Sequence, residues 1–239
     1  MLRNKSCFLL ALLIMMMPTI AVATSYNGDH SFDGTHRNEV SGYVVGGSNV
    51  ITGTFVGFEA SYVRHLSSHW RVGGDAQMQF FKQLYSIDAT AGYCLPVKYG
   101  HLYLDGKVMY NRYNRWNFNE TIINLSATWE SAYVDIRLGE SLIHYQSVGD
   151  GYTEPLTLTF GIGANIRHRT NPWNIGLFFR NYDDFYYENW NINWGIRWYA
   201  PLPHDMRLFG EFNIRPAGSM SQLATKYEGS VTLGIKYKW

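Results

Sequence analysis

The sequence predicts an all-β chain closed into a transmembrane, antiparallel, up-and-down β-barrel, most simply of twelve strands, with ten as the alternative. Three observations predict it. From residue 38 onward the chain is a succession of stretches in which apolar and polar side chains alternate, the period of a strand with two different faces. On the apolar faces aromatic residues gather at the ends and aliphatic ones in the middle, the order of a strand crossing lipid between two headgroup boundaries. The 239 residues include 18 Tyr, 13 Phe and 8 Trp, yet no apolar run after residue 23 approaches the length of a membrane-spanning helix.

The amino terminus reads as a secretory signal peptide over residues 1–23: Arg3 and Lys5, an apolar run from Phe8 to Met17, and the small-residue cleavage site Ala21-Val22-Ala23. Thr24 to Arg37 is polar and glycine-containing, a flexible periplasmic lead-in to a barrel domain spanning 38–239. Asp29, His30, Asp33 and His36 crowd this lead-in without a closed metal-ligand spacing, so no metal site is assigned. After cleavage Cys94 stands alone, so no internal disulfide staples the fold. The near-neutral charge, +1 for the whole chain, gives no basis for nucleic-acid binding.

The expected strands follow in order. Asn38 to Gly46 is short and glycine-rich, the weakest of the set. Thr52 to Arg64 turns Val56, Phe58, Ala60 and Tyr62 outward and Gly57, Glu59 and Ser61 inward. A turn at Leu66 to His69 leads to Trp70–Phe81, with Arg71, Asp75, Gln77 and Gln79 inward. Leu84 to Leu95 turns Tyr85, Ile87, Ala89, Ala91 and Tyr93 outward and Asp88 inward. His101 to Tyr113 sends Tyr103, Asp105, Lys107 and Asn111 inward, and Thr121 to Trp129 carries Ile123, Leu125, Ala127 and Trp129 outward. Ala132 to Tyr145 directs Asp135, Arg137 and Ser141 inward; Glu140 breaks its apolar face, which a bulge or a position near the water surface would accommodate. Gln146 to Glu154, with Gly149 and Gly151, reads as loop. Leu156 to Arg167 alternates without fault; Trp173 to Tyr182, Trp190 to Trp198 and Met206 to Arg215 follow, directing Arg180, Arg197, Glu211 and Arg215 inward. Trp190 and Trp198 are separated by roughly 20 Å of height at about 3.3 Å per residue and a tilt near 40°, close to the apolar band of such a barrel.

The last stretch, Lys226 to Trp239, is the clearest. Tyr227, Val231, Leu233, Ile235, Tyr237 and Trp239 form one face; Glu228, Ser230, Thr232, Lys236 and Lys238 form the other. Its ending, Val231-Thr-Leu-Gly-Ile-Lys-Tyr-Lys-Trp239, resembles the C-terminal assembly strand of bacterial outer-membrane β-barrel proteins, a general class and not one family. The resemblance implies the outer membrane of a Gram-negative bacterium, contact with its lipid and lipopolysaccharide, and engagement of the barrel-assembly machinery through this strand.

Inverting the barrel would make it soluble, with tryptophans in the core, and a soluble core has no reason to sort tryptophan to strand ends. The expected lipid girdle is Trp129, Trp173, Trp190, Trp198, Tyr237 and Trp239. The expected lumen charge system is Asp88, Asp105, Lys107, Asp135, Arg137, Arg180, Arg197, Glu211 and Arg215, with acids dominant between Thr52 and Tyr113 and arginines between Trp173 and Arg215. Such a lumen suits a monomeric, passive channel for small polar or charged solutes. The alternative is a plugged structural or adhesion barrel that binds a surface partner or glycan through outer-loop aromatics: Tyr113, Trp116, Phe118, Phe185, Tyr186 and Tyr187. Asp183, Asp184 and Glu188 match no calcium-loop spacing. His65-Leu-Ser67 resembles the His-x-Ser pair of outer-membrane phospholipases and lipid A deacylases, which makes a lipid acyl hydrolase the remote alternative. The pair falls on an expected periplasmic turn with no third orienting residue, so no catalytic residue, cofactor or enzymatic activity is assigned.

Overall fold

The computed structural model describes residues 37–49, 53–80, 84–114, 117–147, 149–154, 156–181, 192–217 and 226–239. The strands are β1 (Asn38–Asn49), β2 (Gly53–His65), β3 (Trp70–Gln79), β4 (Leu84–Val97), β5 (Gly100–Tyr113), β6 (Phe118–Glu130), β7 (Val134–Gln146), β8 (Gly151–Thr153), β9 (Thr157–Asn165), β10 (Asn174–Arg180), β11 (Asn193–Pro201), β12 (Met206–Ala217) and β13 (Lys226–Lys238). Every pairing is antiparallel between sequence neighbours, apart from β7 with β9 across the short β8, and β13 with β1, which closes the ring. The result is a closed 12-strand barrel with β8 as an extra ribbon on β7. Closure gives each of the twelve ring strands a partner on both sides among the described residues, which is what a sheet in lipid requires, because each unpaired backbone group there costs several kcal/mol.

The ends of the ring meet at one rim. The amides of Arg37 and Asn38 donate to the Trp239 carbonyl at 3.0 and 2.9 Å, and the Trp239 amide donates back to Asn38. The short turns Leu66–His69, Val97–Gly100 and Ser131–Tyr133 lie at this same rim, since each follows an even-numbered strand. Ser67 and Ser131 build two of them: the Ser67 hydroxyl accepts from the His69 and Trp70 amides, and the Ser131 hydroxyl from those of Tyr133 and Val134.

The inside–outside assignment holds along the strands. Leu138, Leu158, Leu177 and Leu233 face outward and are 49–58% exposed, whereas Asn111, Asn124, Ser141, Thr157 and Thr159, facing inward, are fully covered. Several sequence expectations are corrected. β1 is a full strand, paired over its length with β2 and β13, which removes the ten-strand alternative. The Gln146–Glu154 loop contains a strand: Thr153, Tyr152 and Gly151 pair back onto His144, Tyr145 and Gln146. No bulge accommodates Glu140, which sits in unbroken register between Leu125 and Leu158 at the middle of β7. Ala91 points outward but is covered, beside the Trp70–Tyr93 ring pair. The inner wall is also less polar than the alternation implied, because Tyr43, Phe55, Val63, Met109, Ile122, Ile143, Phe178 and Phe209 all lie on it, buried.

Candidate functional site in the lumen wall

Inward-facing charges on the barrel wall are engaged in pairs. Lys107 on β5 reaches Asp88 on β4 at 2.6 Å and Asp75 on β3 at 3.8 Å. Arg71 on β3 donates to Asp105 on β5 at 3.0 Å, its guanidinium 4.5 Å above the Tyr103 ring. Arg180 on β10 donates to Glu211 on β12 at 2.6 Å, and Lys236 on β13 lies 3.3 Å from Glu39 on β1. Arg197 on β11 reaches Asp135 on β7 at 2.7 Å. Arg169, in the turn after β9, joins the same carboxylate at 3.1 Å and Glu130 at 3.6 Å. Burial works against the Arg169 charge, but Glu130 and then Asp135 outweigh it, so its pKa lies above the ordinary arginine value. Arg137 donates to Asn124 at 2.7 Å, and that amide continues to Ser141 and Thr159.

Glycine decides which of these groups can meet. Arg71, Gly92 and Asp105 form one row across β3, β4 and β5. A Cβ on Gly92 would overlap Asp105 Oδ1 and stand 2.9 Å from Arg71 Nε, so the pair closes over β4 only because that residue has no side chain. Gly163 does the same beneath the Arg197–Asp135 pair, where a Cβ would overlap Asp135 and lie 2.7 Å from Arg197 Nη2. The device also serves apolar contacts: Tyr43 on β1 and Phe209 on β12 flank Gly234 on β13, and their rings meet edge-on at 5.3 Å.

Of the residues expected from sequence, Asp88 with Lys107, Asp105, Asp135 with Arg197, and Arg180 with Glu211 are brought together as ion pairs. Arg137 is held by an amide, and the Arg215 side chain lies outside the described residues. Arg71, Asp75, Glu39, Lys236 and Arg169 belong to the network but were not placed in the expected charge system. For Arg71, Asp75 and Lys236 the alternation already marked an inward side chain; Glu39 lies on the first strand, whose faces were not assigned, and Arg169 sits in a turn, where no period applies. The rim holding the termini carries a small polar pocket lined by Asn165, Arg169, Asn171, Asn174, Arg197, Tyr199 and Arg207.

Of the expected girdle, Trp173, Tyr237 and Trp239 are 40–57% exposed and lie at the rim of the termini, with half-covered Trp129 and Trp198 near them. Trp190 lies outside the described residues, as do the lead-in up to His36, Trp116 and the 182–191 stretch. Tyr113 and Phe118 are on the inner side of the opposite rim. There they start a ladder of rings, Tyr113–Phe118–Tyr145–Tyr152, with centroids 5.3, 5.5 and 6.3 Å apart. Beneath it Met109, Ile122 and Ile143 form an apolar cluster. Ser67 serves its turn as described, and His144, which bonds Thr153, faces opposite to Ser141. No group of three potential metal ligands occurs among the described residues.

No known family matches the sequence, and no curated protein sequence matches it. The fold is similar to solved bacterial outer-membrane barrels. A NanC porin structure matches with a TM-score of 0.53 at 10% identity, covering 84% of this chain and 100% of that one. The translocator domain of the autotransporter NalP from Neisseria meningitidis matches with a TM-score of 0.54 at 14% identity, covering 88% of this chain and 90% of that one.

Proposed function

We propose that the protein is a narrow, hydrated outer-membrane conduit through which small polar or charged solutes pass passively. One observation carries the reading. Inward-facing polar atoms on several strands have no hydrogen-bond partner in the protein: Gln77 Oε1 and Gln79 Oε1 on β3, Thr90 Oγ1 on β4, Ser126 Oγ and Thr128 Oγ1 on β6, and Asn213 Oδ1 on β12. Left dry, each would cost about 1–3 kcal/mol. As the wall is packed these atoms are covered, so satisfying them means admitting water between the lumen side chains, and a twelve-strand ring has room for that: strands about 4.8 Å apart tilted near 40° set a backbone radius of roughly 12 Å.

The solute class follows from the asymmetry of charge. Asp75, Asp88 and Asp105 face Arg180, Arg197 and Arg207 from different sectors of the ring, giving a transverse field of the kind that sorts ions. The outer membrane supplies the setting, with lipopolysaccharide outside the barrel and the assembly machinery acting on β13. A second reading, a plugged structural or adhesion barrel, is favoured by the depth of burial of the same wall: Lys107, Arg180 and Arg197 are only 2–3% exposed.

Recording from the purified protein in planar bilayers separates the two. Steady unitary steps in a salt gradient support the conduit, and silence from barrels shown to be folded by heat-modifiable gel mobility supports the plug. In a conducting barrel, Arg180→Gln with Arg197→Gln moves the reversal potential toward cation preference, and Asp88→Asn with Asp105→Asn moves it the other way. An unchanged reversal potential in both removes the charge system from the mechanism.

A further inference from the structure

Glu140 is an anomaly that the lumen does not absorb. On β7, Asp135, Arg137 and Ser141 point inward and are buried, so Glu140 points to the lipid side with Leu138 and Leu142. Its register partners are Leu125 on β6 and Leu158 on β9, and its Oε2 is shielded without a hydrogen-bond partner. Other outward-facing acidic or basic side chains on the described strands, Arg64, Arg112 and His144, lie within two residues of a strand end, where headgroups and water are in reach. Glu140 is mid-strand, out of reach of both rims. A carboxyl group there loses hydration with nothing on its own barrel to replace it, and an ionisable group at membrane depth implies a partner at the same depth.

We propose that this partner is a second copy of the chain, docked through the β6–β7–β9 wall with the two Glu140 side chains hydrogen-bonded to each other. Membrane insertion fixes the geometry. All copies share one up direction, so a closed pair has its two-fold axis along the membrane normal, and equal heights meet across it. Glu140 can then meet only Glu140. Two carboxyl groups sharing the protons between them complement each other in an apolar surround, as like acids forced together do in other sites. The leucines Leu125, Leu138, Leu142 and Leu158 surround the pair and replace lipid tails with tails of similar chemistry, so the acid pair supplies the specificity. The expected single barrel becomes a two-fold pair whose lumens lie on either side of the contact. This rests only on the barrel's orientation in lipid and is independent of whether the lumen conducts.

The test uses full barrels in lipid vesicles at low protein density. In a Cys94→Ser background, Glu140→Cys is oxidised with copper phenanthroline beside Leu177→Cys, which lies on the wall of β10. A disulfide-linked dimer of Glu140→Cys at least ten-fold above the Leu177→Cys yield is expected. Unsubstituted protein, donor- and acceptor-labelled on its turns, shows energy transfer that Glu140→Leu abolishes and Glu140→Gln, still able to pair through its amide, retains. Equal cross-linking at both positions, energy transfer unaffected by Glu140→Leu, or monomers throughout for the unsubstituted protein would each overturn the proposal. So would cross-linking of Glu140→Cys to another protein in isolated outer membranes without formation of the homodimer.

Discussion

Replacing Gly92 with alanine tests whether the empty position on β4 exists for the ion pair above it. The added Cβ overlaps Asp105 Oδ1 and crowds Arg71 Nε at 2.9 Å, and both are ends of flexible side chains, so the chain yields by parting the pair and leaving the strand in place. Arg71 and Asp105 now sit 3.0 Å apart, each more than nine-tenths buried. Moving them to about 4.5 Å at an effective dielectric near 20 lowers their attraction from about 5.5 to about 3.7 kcal/mol, a loss of roughly 2 kcal/mol. Complete rupture would approach about 3–5 kcal/mol, the cost of leaving a buried charge alone. The assay is reversible urea unfolding in lipid vesicles, followed by tryptophan fluorescence, as a double-mutant cycle with Asp105→Asn. Gly92→Ala is expected to cost about 2 kcal/mol in the original background and under 1 kcal/mol when Asp105 is already neutral. Equal costs in both backgrounds would refute the reasoning, because the glycine would then be serving its strand and not the pair.

Other expectations follow from the same geometry. Leu177→Arg, outward on β10, is expected to lower unfolding stability in vesicles by about 2–4 kcal/mol, the cost of a guanidinium inside the apolar band, whereas Leu177→Phe stays within about 1 kcal/mol. Gly163→Val should separate Arg197 from Asp135 and cost about 3 kcal/mol or more by the same unfolding measurement, since a branched side chain leaves neither partner a way round. Removing residues 231–239 takes away the strand that pairs with both β1 and β12, so no heat-resistant barrel band should form on gels after refolding into vesicles. Swapping Trp239 for phenylalanine preserves ring closure, because the closing bonds use the Trp239 backbone.

The sector of the wall most legible in the sequence was β9 to β11. Leu158, Phe160, Ile162 and Ala164 alternate with Thr157, Thr159, Gly161 and Gly163, and the structure places each on the expected side. The period held throughout; what misled was side-chain polarity taken as a guide to the face. Met109, Ile122 and Ile143 point inward although apolar, because they pack on one another across β5, β6 and β7. Glu140 points outward although acidic, as the alternation had marked, but with neither the bulge nor the surface position expected to accommodate it. β8 was hidden because three residues cannot display a period of two, and what defines it is the edge of β7 beside it.

The sequence alone determined which side chains turn outward and which turn to the lumen, because successive side chains on a strand must point to opposite faces and that alternation is written residue by residue. It also marked the lumen as charged, and as acidic on one part of the chain and basic on another. Only the tertiary structure decided who pairs with whom. Arg71 finds Asp105 and Arg197 finds Asp135 across strands that lie 34 and 62 residues apart in the chain. Those meetings depend on the register of each ladder around a closed ring and on where a glycine falls between two long side chains. Neither is a property of any one strand.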